Sequence, residues 1–224
     1  SNTSGSPDYE YFLSRLGTKV PLQGARFNTQ GLHADFDGQF TYAWRDRVTE
    51  IVYHVPTMMP TNFDNDPSCI SKKRHIGNDF VNIVFNRSNT PFNFNTIPSQ
   101  FNFVNIVINP VCRLTTDPGS AESRRTDFEN MFYQVKVMSK PGFPEISPAA
   151  VPKLISGKNL APFVRILALN ASVFSLVWHS QGGEHISSWR NRLREIKRLR
   201  ERALGNQAQS SEAAEGTYPG QRRN

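Results

Sequence analysis

Lys72-Lys73-Arg74-His75-Ile76-Gly77-Asn78-Asp79-Phe80-Val81-Asn82-Ile83-Val84-Phe85-Asn86 puts three cations, an imidazole, a glycine and a carboxamide directly ahead of an apolar, β-branched run. That change of composition predicts polar chemistry on a loop or short helix fixed to a rigid strand. Asp66 and Ser68 stand where they can cap a helix of one or two turns. His75 and Asn78 would share a face of it, and Gly77 would let the chain leave its last turn. Phe80 to Phe85 then reads as a largely buried strand. A Lys-Lys-Arg-His run taken by itself reads first as a solvated basic face.

The chain has 224 residues, 38% of them hydrophobic, enough for a sizeable core and one domain with frayed ends. Its net charge of +7 favours acidic partner surfaces. Cys69, Cys112 and five scattered histidines have no metal-ligand spacing, so neither a zinc site nor a disulfide framework is expected, and a reducing, cytoplasmic setting fits. No uninterrupted apolar run reaches about 18 residues. Leu160 to Trp178, interrupted by Pro162, Arg165 and Asn170, is expected to be a core helix, not a transmembrane segment.

Upstream of the opening stretch, residues 1–7 read as a flexible lead, and Asp8 caps a helix through Leu16 closed by Gly17. Asp37-Gly38 is a turn signal. Gln39 to Trp44 and Val48 to Val55 alternate as hairpin strands around Asp46-Arg47. Downstream, Phe101 to Ile108 is a strand buried on both faces and ended by Pro110, and Met131 to Met138 is another. Residues 113–128 are expected to be a mobile insertion. Ala149 to Ile155 reads as a short helix, and Phe163 to Val177 repeats at three and four as an amphipathic one. Ser187 to Leu204 forms a third, with seven Arg and Lys against Glu195 and Glu201; residues 205–224 read as a disordered tail.

The expected fold is therefore α/β: a single domain over residues 8–204 with a central mixed β-sheet flanked by helices and a helical C-terminal third. The basic C-terminal helix is read as a solvated face, as a partner-docking helix, or as a nucleic-acid binder supported by charge alone. There is no P-loop, GxGxxG, nucleophile elbow or HExxH, so self-contained hydrolase chemistry and a resident nucleotide are not expected.

The opening stretch resembles the signature of the Rap-type GTPase-activating proteins. Gly38 to Asp46, Gln100 to Val104, and Trp189 with Arg192-Leu193-Arg194 and Ile196 to Arg200 resemble the tuberin branch of that family. The resemblance implies a domain that accelerates GTP hydrolysis on a bound small GTPase, Rheb first and Rap second. It implies that Asn78 enters the partner's nucleotide site as an asparagine thumb, in place of an arginine finger. His75 would brace it, while Lys72, Lys73, Arg74 and Asp79 would dock the GTPase. No cofactor of its own is implied, because the partner supplies GTP and magnesium. The resemblance also implies hamartin as a partner of the full-length protein and calmodulin as a ligand of Trp189, Arg192, Arg194, Lys197 and Arg198. Nucleic acid is not an implied partner, and the domain would be cytoplasmic, recruited to membranes where the GTPase is anchored. An arginine finger through Arg74 and a noncatalytic basic binding module are the competing readings.

Overall fold

The computed structural model describes residues 3–111, 127–180 and 193–204. Residues 113–126 of the expected 113–128 insertion, the tail, Cys112, Trp189 and Arg192 lie outside the described residues. Contacts gather into one unit over residues 1–179 and a second over 180–224.

In the first unit α1 (Pro7–Leu16) leads into β1 (Thr18–Pro21), and α2 (Ala34–Asp37) precedes β2 (Phe40–Arg45) and β3 (Glu50–Tyr53). These three strands form an antiparallel sheet in the order β1-β2-β3, with Tyr42 opposite Tyr53 and Trp44 opposite Ile51. The turn between β2 and β3 closes as expected, Asp46 Oδ1 accepting the N–H groups of Val48 and Thr49. Asp8 does not cap α1. It is buried and pairs with Arg87 at 3.1 Å, because Pro7 already starts the helix and carries Asp8 inside its first turn.

α3 (Ile70–Ile76) separates that sheet from a second one of order β4 (Val81–Phe85), β5 (Val104–Val111), β6 (Phe132–Ser139), β7 (Lys153–Ser156). β4 and β5 are parallel, with Val81 opposite Val104, and the remaining pairs are antiparallel. The mixed sheet is thus four-stranded, and the antiparallel hairpin strands stand apart from it instead of extending it.

β5 runs through Pro110, although the sequence suggested that it stops there. β4 pairs only as far as Ile108, so beyond that point β5 has one neighbour and the missing N–H of proline breaks no ladder. The expected helix over Ala149 to Ile155 is replaced by a 3₁₀ turn, Pro148–Ala150, and by β7. Pro152 withholds a donor and biases Val151 to extended backbone, which turns the chain onto β6.

α4 (Gly157–His179) buries Leu160, Ala161, Val164, Leu167, Ala168 and Ala171 at helical spacing. They join Phe12, Leu16, Val104, Ile106, Ile108, Tyr133 and Val135 in one core. By length and composition α4 could cross a membrane; here its buried face packs on α1, β4 and β5. Arg165 of α4 donates to the carbonyls of Arg15 and Leu16, closing the C-terminus of α1, and lies over the Trp44 ring at 4.6 Å. In the second unit, residues 193–204 form helix α5.

Candidate functional site

α3 starts where Asp66 captures its first free N–H groups: the carboxylate accepts from Ile70 at 2.7 Å and Ser71 at 2.9 Å. Of the two expected caps Asp66 is the one observed, and the bonds hold its carboxyl below its ordinary value, those from the Ser71 side chain and backbone first. Gly77 follows with helical backbone, so the chain leaves α3 without a left-handed residue.

The polar residues of α3 divide by face. Lys72 is 7% exposed, and its ammonium donates to Pro56 O at 2.8 Å and to Thr61 Oγ1 at 2.5 Å. Its place on a docking face is thereby corrected: the aliphatic stem is buried and the charge is satisfied inside the fold. Lys73 and Arg74 are exposed. His75 is buried, and its Nε2 donates to Asp37 Oδ1 at 2.8 Å. The same Oδ1 accepts from Arg74 Nη2 at 2.8 Å.

Asn78 lies just past the helix, exposed, with Nδ2 donating to Arg74 O at 2.8 Å and its N–H to His75 O at 3.0 Å. Asp79 accepts from His54 Nδ1 at 2.9 Å, and the Ser99 hydroxyl donates to Gly77 O. The His54 and His75 rings touch, with centroids 5.0 Å apart. The structure therefore brings His75, Asn78, Arg74 and Asp79 together, leaves Lys73 on the outside of α3 and turns Lys72 away.

Three supporting residues were not found in the sequence. Asp37 reads there as half of a turn signal, yet it is a buried residue of α2 whose Oδ2 also accepts the His33 N–H at 2.9 Å. Burial alone would raise its pKa, but the bonds from His33, His75 and Arg74 together bring it below the ordinary aspartate value. His54, inside the expected strand Val48 to Val55, lies just after β3 and pairs with Asp79, and so belongs to the site. Burial lowers its proton affinity, and the Asp79 bond and charge outweigh that, leaving it above the ordinary histidine value. Ser99 gives no local signal.

The arrangement offers one exposed carboxamide held at the end of a braced helix. A carboxamide donates and accepts hydrogen bonds but does not titrate near neutrality, so it can orient a water or stabilise charge and cannot act as a general base. Among the described residues no group of His, Cys, Asp and Glu is arranged to hold a metal ion.

The model of the Rap/ran-GAP family matches residues 1–198. The chain belongs to the Rap/ran-GAP family. Within it, the tuberous sclerosis 2 protein homolog of Schizosaccharomyces pombe is 45% identical over 205 residues, covering 90% of this chain and 15% of that protein. The human Ral GTPase-activating protein subunit alpha-1 is 32% identical over 173 residues, covering 77% of this chain and 8% of that protein. A solved TSC2 GAP domain is 62% identical, with a TM-score of 0.70 over 80% of this chain and 88% of its own. The chain thus corresponds to the Rap/ran-GAP part of much longer relatives, and the tuberin branch suggested by its sequence is supported by both TSC2 matches.

α5 exposes Leu193, Ile196, Leu199 and Leu204 beside Arg194, Lys197 and Arg198, with an exposed pair between Arg198 and Glu195 at 3.3 Å.

Proposed function

We propose that this domain accelerates GTP hydrolysis on a small GTPase, Rheb in first place and a Rap protein in second, by inserting Asn78 into the partner's nucleotide site. The observation that carries the reading is the exposed Asn78 carboxamide, presented by a helix whose neighbouring side chains are bonded into the fold. Relatives named as Ral GTPase-activating protein subunits support the activity class.

GTP hydrolysis asks the protein to orient the attacking water and to stabilise charge on the transferring phosphoryl group, with little covalent chemistry. Both tasks suit a fixed amide. GTP and magnesium come with the partner. Arg74 is less suited to act as a finger, because its guanidinium is already bonded to Asp37. His75 braces the segment through the same carboxylate, and Lys73, exposed on α3, steers the partner's anionic face.

Single-turnover hydrolysis of GTP preloaded on Rheb tests the reading. The parent domain accelerates it, and Asn78→Ala removes about 10³ to 10⁵ of that acceleration if the asparagine works on the scale of an arginine finger. A folded Asn78→Ala domain with the parent's rate sinks the thumb. A folded parent inactive on both Rheb and Rap sinks the activity. The α5 surface supports a second reading, a basic module that docks acidic partners such as calmodulin. Salt-sensitive binding without any effect on GTP turnover favours that module. Hamartin as a partner of the longer protein and recruitment to the GTPase's membrane belong to the same proposal.

A further inference from the structure

The side chains that hold the Asn78 segment come from outside it: Asp37 on α2, His54 after β3, and Ser99 before β5. We infer that Asp37 is a positioning residue for the proposed reaction, acting on Asn78 through Arg74 and His75. The inference rests on the reading of Asn78 as the inserted group.

Asp37 is 3% exposed, a depth at which a carboxylate is costly unless every lone pair in use finds a donor. Two of its three donors, Arg74 Nη2 and His75 Nε2, lie on the last turn of α3 and converge on one oxygen at 2.8 Å each. Those same two residues carry Asn78 through their main chains. Asn78 Nδ2 donates to the carbonyl of Arg74, and the Asn78 N–H to the carbonyl of His75. A side-chain grip on residues 74 and 75 is therefore a grip on the frame to which the amide is attached.

The grip also has a fixed anchor. The third donor, the His33 N–H, ties the other carboxylate oxygen to the start of α2. Gly38 follows at φ 99°, where a Cβ would come within 2.5 Å of Met58 O. The chain beside Asp37 therefore passes so close to the Met58 carbonyl that only glycine fits there. A group that must meet a phosphoryl transition state tolerates little displacement, and a misplacement of about 1 Å costs on the order of 10²-fold in rate.

An ordinary structural ion pair would stabilise the fold and leave the chemistry of the folded molecules unchanged. A positioning residue lowers the saturating rate and loses its effect once the group it positions is gone. The experiment measures single-turnover GTP hydrolysis on preloaded Rheb against domain concentration for the parent, Asp37→Asn, Asp37→Ala, Asn78→Ala and the Asp37→Asn/Asn78→Ala double variant. Circular dichroism and thermal melting are followed on the same samples. Asp37→Asn keeps an acceptor oxygen and guards against a simple failure to fold.

The expected result is a saturating rate lowered about tenfold in Asp37→Asn and about 10²-fold in Asp37→Ala, with the half-saturating concentration within about twofold of the parent. On the Asn78→Ala background Asp37→Asn removes less than about twofold more. Folded Asp37→Asn at the parent's saturating rate overturns the inference, and so do losses that multiply in the double variant. If Asn78→Ala itself keeps the parent's rate, the reading of Asn78 fails and the inference fails with it. An impaired Asn78→Ala beside a fully active Asp37→Asn removes the inference alone.

Discussion

Replacing Lys72 by methionine separates an internal anchor from a docking cation. The ammonium of Lys72 is buried and makes two hydrogen bonds, to Pro56 O and Thr61 Oγ1, that tie α3 to the connection after β3. A hydrogen bond from a charged donor contributes about 1.5–3 kcal/mol, and the side chain of methionine recovers roughly 1.5–3 kcal/mol by burial. Losing both bonds and leaving their acceptors dry should therefore cost about 2 kcal/mol. For a domain of this size each kcal/mol moves the melting temperature by about 2–4 °C, so Lys72→Met should melt about 4–8 °C below the parent. Lys73→Met, one residue on and exposed, should stay within about 0.5 kcal/mol. Thermal melts and urea titrations of the two variants, with GTPase affinity measured below the transition, make the comparison. Equal stability of the pair, or a Lys72→Met domain that melts like the parent and binds the GTPase weakly, would refute the inward role.

Two further outcomes follow from the same region. Gly38→Ala must place a side chain at φ 99° and push Met58 O away from a 2.5 Å approach, so it should lose about 1–3 kcal/mol or more in a urea titration, and a parent-like midpoint would show that the loop yields freely. His54 has a raised pKa in the fold, so the stabilisation from its pairing with Asp79 is complete below its ordinary value of 6.5 and fades as pH rises through the higher folded value. The stability gap between parent and His54→Gln should accordingly be wider at pH 5.5 than at pH 8.5, and a gap independent of pH would exclude the charged pair.

Elements whose signal is local were legible in the sequence. Alternation marked β2, the apolar run marked β5 with residues 104–108 buried, and spacing at three and four marked α4 as a helix but not its buried face, since Ile166, Val173 and Val177 of that repeat are exposed. Asp66 announced the start of α3. Elements decided by partners were not. β7 exists because Pro152 turns the chain onto β6, and β5 passes Pro110 because β4 has already ended. The number of sheets depends on pairings that no single strand encodes. The site divides in the same way. Asn78 and His75 stand out within a compact motif, whereas Asp37 reaches His75 across 38 residues and His54 reaches Asp79 across 25. Lys72 misleads because a run of cations carries no record of which one turns inward.

α3 lies between the two sheets in the chain, and its segment is held from both sides: by Asp37 and His54 from the antiparallel sheet's neighbourhood, and by Ser99 from the segment before β5. A local opening that broke these bonds would release the Asn78 segment while leaving the pairing within each sheet intact. Excised as a peptide, or grafted onto a scaffold with only one of the two sheets, the motif would keep its sequence and lose its aim.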